Sequence, residues 1–168
     1  MTTAQLAAVS ANSQPHSKLD GFGRTSPNVA RALLVLAVCA AAVAGFMVTG
    51  AQARGHAMAA TGVELANLLR AMAAIKAAMA AVVALAVFWR LGSPATPPWL
   101  AGYLGACAAM SVGIGLIWDL AHIVPGAFLL HAGLIAAIVL FWRDREVRMR
   151  IAALVAARRA ALPELRAE

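Results

Sequence analysis

Apolar residues fall in four long runs, and the polar residues gather in the short breaks between them. The runs cover about Ala32 to Thr49, Leu65 to Trp89, Trp99 to Leu120 and Ala127 to Trp142. A helix that crosses a bilayer needs about 20 mostly apolar residues, and all four runs meet or approach that length. Apolar and polar positions do not alternate with period two, so a closed barrel is excluded and helices remain. The breaks are sharp. The segment from Arg90 to Pro98 holds Pro94, Pro97 and Pro98, which cannot sit inside a helix. Val124-Pro125-Gly126 reads as a tight turn.

The pattern predicts an all-α integral membrane bundle of four transmembrane helices. The spans fall at about residues 31–50, 63–89, 98–120 and 126–142, inside a transmembrane domain of residues 29–142. Residues 1–28 are small and polar and read as a disordered cytoplasmic tail. Residues 143–168 read as a basic amphipathic cytoplasmic helix and tail. There Val147, Ile151, Leu154 and Val155 repeat at helical spacing among arginines. Such a helix suits the anionic inner leaflet, or it prolongs the fourth span. A competing reading places a signal-peptidase site at Ala51-Gln52-Ala53, which would remove the first run after Ala53.

Composition removes the other broad classes. The chain has 168 residues, 62% apolar and 12% charged, against about 25% charged in a soluble domain. A soluble globular fold and extensive disorder both fail on these figures. The net charge of +7 would suggest nucleic acid in a soluble protein. Here the basic residues flank the apolar runs, so they set orientation and no nucleic-acid partner is expected. Lys18, Arg24, Arg31, Arg90 and the arginines from Arg143 onward fall on one side, and only Arg54 falls in a loop on the other. Both termini are therefore expected in the cytoplasm, in a bacterial inner membrane. Trp89, Trp99 and Trp142 mark the inner boundary as an aromatic belt.

Small residues at four-residue spacing let helices approach closely where lipid tails give no hydrophobic drive. Ala101, Gly105, Ala109 and Gly113 make such a row in the third run, and Ala37, Ala41 and Gly45 in the first. The partner helix is expected from this chain, from a second copy or from other membrane polypeptides.

Two ionisable residues lie deep in the runs. Lys76 stands 13 residues from Trp89 and His131 stands 11 from Trp142. At the helical rise those offsets are about 20 and about 16 Å, similar depths. Ionisable groups there face a bundle interior and serve function. Against that, Lys76 could snorkel to the far headgroups, and His131 could be a neutral imidazole bonded to a carbonyl. A second polar group is expected at the outer face: Glu64 and Arg70 open the second span, and Asp119 and His122 share a helical face at i and i+3. With His56 from the loop, Asp119 and His122 could hold a metal ion. The plainer reading is a salt-bridge network from Arg70 to Asp119 or Glu64.

No cofactor is assigned. His131 with Met110 could ligate haem at matched depth, and Met79, Met110, His131, Cys39 and Cys107 are the soft groups open to copper. There is no Gly-x-Ser-x-Gly, no HExxH and no P-loop, so no catalytic residue is named. The leading expectation is a non-catalytic subunit or assembly factor of a larger membrane complex. The alternatives are a redox or proton-handling protein that binds a quinone, haem or metal, and a small oligomeric transporter with Lys76 and His131 on its pathway.

Overall fold

The computed structural model describes residues 25–161, and every regular element among them is an α-helix. The expected tail up to residue 24 and the residues after 161 lie outside the described residues. Six helices follow in order: α1 (Pro27–Met47), α2 (Ala51–Thr61), α3 (Val63–Arg90), α4 (Pro97–Trp118), α5 (Ile123–Arg143) and α6 (Arg145–Ala161). Four of them, α1, α3, α4 and α5, are long and apolar enough to cross a membrane. Their bounds follow the expected spans, shifted by up to four residues at the ends. Pro27 opens α1 and Pro97 opens α4, each at a position where the missing N–H has no helical partner to lose.

Helix α2 was not expected. Its eleven residues lack an apolar face, and none of them is buried. Gly50 and Gly62 bound it, the latter at φ 77°, where a side chain would be strained. The turn between α4 and α5 uses a less usual device. Leu120 sits at φ 63° with its side chain buried, so burial offsets a backbone cost of about 1–2 kcal/mol.

Helix α4 is the centre. Half of its apolar window is buried, against 22%, 17% and 22% for α1, α3 and α5, which pack around it. The packing faces follow a near-heptad rhythm. Ala66, Ala73, Ala80 and Val87 line the buried side of α3, and Gly126, Leu130, Gly133 and Ala137 that of α5. A repeat of 3.5 is the seam of a left-handed crossing.

Glycines set the closest approaches. A methyl group on Gly113 would lie 2.6 Å from the carbonyl oxygen of Gly126, and one on Gly126 would lie 2.8 Å from that of Gly113. On the other side of α4, a methyl on Gly45 would lie 2.8 Å from the carbonyl oxygen of Val112. The row facing α5 therefore runs through Gly102, Ala106, Met110 and Gly113. The expected row was Ala101, Gly105, Ala109 and Gly113; of these, Ala101 and Gly105 are exposed, Ala109 is half-buried and only Gly113 is at a close approach. A helix this rich in Ala and Gly offers small-residue ladders on adjacent faces. The glycines of α5 select the one used.

Gly113→Ala should lower stability by about 1–3 kcal/mol, the usual cost of overpacking. Gly105→Ala has open space around it and should be neutral or gain up to about 1 kcal/mol from helix propensity. Circular dichroism through SDS-induced unfolding in mixed micelles measures both; equal effects would refute the assigned row.

Candidate functional site

The bundle carries polar chemistry in three places: one at each end and one between α3, α4 and α5. The first is the end where α3 stops and α6 starts. Arg90, the last residue of α3, is buried and pairs with buried Asp144 at 2.5 Å. Tyr103 of α4 donates its hydroxyl to the same Asp144 oxygen at 3.1 Å. The second Asp144 oxygen accepts from the backbone N–H of Glu146 at 3.0 Å, which makes Asp144 the N-cap of α6. A further N–H of Arg90 donates to Ser93 Oγ at 2.7 Å. One carboxylate thus ties α3, α4, α5 and α6 together. Arg31 of α1 closes the same end of α3: its Nε donates to the Phe88 carbonyl at 3.2 Å, and its guanidinium lies 4.8 Å from the Phe88 ring centre.

Sequence reasoning missed this cluster. In the sequence, Arg90 and the arginines after Trp142 read as orientation charges. Two signals were available: Tyr103 is the chain's only tyrosine, and Asp144 interrupts a run of arginines.

At the opposite end, Arg54 of α2 folds back across the end of α1. It donates to the carbonyls of Phe46 at 2.7 Å and Thr49 at 3.0 Å, and its Nε lies 3.4 Å from Asp119. The partner of Asp119 is therefore Arg54, not the expected Arg70. Arg70 reaches the Met58 sulfur at 3.6 Å, and its Nε is buried without a hydrogen-bond acceptor. Asp119 Oδ2 and Thr49 Oγ1 are buried without partners too. Asp119 and His122 do not share a helical face, because α4 ends at Trp118 and Leu120 turns the chain. His122 precedes α5 and is exposed, as are His56 and Glu64. Among the described residues, no three His, Cys, Asp or Glu side chains stand together in a metal-holding group.

The third place joins the two deep residues. Lys76 of α3 and His131 of α5 line one cavity of about 100 Å³, together with Met79, Ala80, Met110, Leu130 and Leu134. Their similar depth in the sequence reflects a shared wall in the fold. His131 Nδ1 lies 2.6 Å from the Ala127 carbonyl oxygen, one helical turn back. A carbonyl only accepts, so Nδ1 is the donor in this contact, and in a neutral ring Nε2 is then the acceptor. Met110 forms part of the same wall, so the pair considered for haem does come together. The volume, however, is well below the roughly 300–1,000 Å³ of small-molecule pockets. Cys39 is exposed on α1, and Cys107, though buried on α4, does not line this cavity.

No protein-family model, no curated protein and no solved structure matches the chain.

Replacing Arg90 with Met leaves a buried carboxylate without its counter-charge and should cost about 3–5 kcal/mol. Adding Asp144→Asn should recover part of that loss, since Asn still caps α6 and accepts from Tyr103. A double-mutant cycle by detergent unfolding reads the coupling, and strictly additive losses would contradict the clamp.

Proposed function

We propose that the chain is a four-span integral membrane protein that serves as a non-catalytic subunit or assembly factor of a larger membrane complex. The observation that supports this is the use of its charged side chains. Arg31, Arg54, Arg90, Asp119 and Asp144 all bind helix ends or each other within the chain. They act as clamps, not as groups converging on a substrate. The apolar faces of α1, α3 and α5 turned away from α4 are exposed, as lipid or neighbouring helices require.

In this reading α1, α3, α4 and α5 cross a bacterial inner membrane with both termini in the cytoplasm, because the basic residues cluster at the Asp144 end. Helix α2 lies on the outer surface. Helix α6 lies along the inner leaflet, with Val147 buried against the bundle and Ile151, Leu154 and Val155 exposed for lipid. The redox or proton-handling alternative draws its support from one feature, the meeting of Lys76, His131 and Met110 in one cavity.

Two measurements test the proposal. In a variant with Cys39→Ser and Cys107→Ser, a membrane-impermeant maleimide should label Gly55→Cys in spheroplasts and Met149→Cys only after permeabilisation. The reverse pattern would overturn the orientation. Purified in mild detergent, the 17.3 kDa chain should run in a complex of fixed composition with other polypeptides. A lone oligomer with a visible absorption band would instead favour the redox reading.

A further inference from the structure

Lys76 lacks a counter-charge within the described protein. The described carboxylates are Glu64, Asp119, Asp144 and Glu146. Asp119 pairs with Arg54, Asp144 with Arg90 and Glu146 with Arg150. Glu64 is exposed on α3, twelve residues away or about 18 Å along the helix. In an apolar setting an ammonium group needs an anion or strong acceptors beside it. Lys76 stands beside a small cavity that opens to the outside of the bundle between α3 and α5, with Met110 on its wall. His131 lines the same cavity, and its Nε2 is the ring nitrogen not bound to the Ala127 carbonyl. The same faces of α3 and α5 carry exposed Met72, Met79, Phe128, Ile135 and Ile138, so an apolar groove surrounds the two polar groups.

We propose that this groove receives a transmembrane helix of a different polypeptide, with an Asp or Glu near its middle whose carboxyl group enters the cavity. The inference rests on the membrane-subunit reading and names the chemistry of the partner. Three observations select this occupant. The cavity of about 100 Å³ suits one carboxylic side chain and falls short of cofactor-sized pockets of roughly 300–1,000 Å³. A fatty acid or phospholipid keeps its charged head at the interface, whereas Lys76 lies well inside the apolar span, so a carboxyl group at that depth must be carried by a helix. A second copy of this chain cannot supply it, because no Asp or Glu falls near the middle of any of the four apolar runs. On docking, Lys76 donates to the carboxylate. A protonated partner would instead donate to His131 Nε2, so the two groups together accept either form.

The test uses the full chain with a donor label, reconstituted in phosphatidylcholine vesicles. The probes are acceptor-labelled poly-leucine transmembrane peptides with a central Glu, Gln or Leu. Energy transfer should show the Glu peptide binding about tenfold more tightly than the Leu peptide, the scale of one good interhelical polar contact. Lys76→Met should remove that preference and Lys76→Arg should keep it, with unchanged circular dichroism showing that both variants fold. Equal binding of the Glu and Leu peptides overturns the proposal, as does a Glu preference that survives Lys76→Met. Lys76-dependent immobilisation of spin-labelled stearate overturns it in favour of a lipid acid. Lys76-dependent transfer between two labelled copies of the chain overturns it in favour of self-association. If the peptides fail while the chain still purifies in a fixed complex, this site falls and the subunit reading stands.

Discussion

Where Gly113 meets Gly126, a single methyl group would land 2.6 Å from a carbonyl oxygen, and that approach governs the rest of the bundle. It brings α5 close enough for Ala106 to face Gly133 and for Leu130 to cover Met110. On the opposite side of α4, Gly45 does the same for α1. Backbones this near exchange many weak dispersion contacts, each about 0.1–0.2 kcal/mol. Where lipid tails offer the same apolar surroundings as leucine, that density is what separates a folded bundle from loose helices.

Close packing sets spacing but not vertical register, because a ladder of small residues permits sliding by one turn. The polar clamps supply register. Arg90 and Asp144 fix α3 against α5 at one end, and Tyr103 adds α4 to the same point. Arg54 fixes α1 and α4 at the other end. The clamps, with Arg31, also satisfy groups that a helix leaves open, the carbonyls of Phe46 and Phe88 and the N–H of Glu146, and the carbonyl of Thr49 just past α1. Among the described residues the paired charges thus work mostly at helix ends, whereas Lys76, His131 and Arg70 stand away from them.

The four apolar helices were legible because their length and hydropathy need no tertiary context. Their bounds were legible to within a few residues because the proline-rich break from Arg90 to Pro98 marks two of them; Val124-Pro125-Gly126, expected as a turn, instead lies in the first turn of α5. Helix α2 was not, since eleven residues without an apolar face carry no periodic signal and depend on Gly50 and Gly62 at their edges. The depths of Lys76 and His131 were readable from the helical rise, but their meeting depends on the rotation of α3 and α5 about α4, which the glycine contacts set for α5 and the seam of Ala66, Ala73, Ala80 and Val87 sets for α3. The partner of Asp119 was misassigned because Arg54 reaches it only through the fold-back of α2. The Asp144 cluster was missed because a charge beside a span reads as an orientation signal until the fold buries it.

The Arg90–Asp144 pair joins residues 54 positions apart in the chain, and this separation has a consequence for biogenesis. At about 5–20 residues per second of synthesis, Arg90 exists for roughly 3–11 s before its carboxylate is made. Through that interval the guanidinium lacks its counter-charge, so the Arg90 end of α3 cannot take its final buried seat. Burial of this end of the bundle is therefore a late event, timed by the emergence of the segment after α5. A chain that ends before that point has α3 still unlatched at this end, with Arg90 lacking the carboxylate that pairs with it in the finished fold.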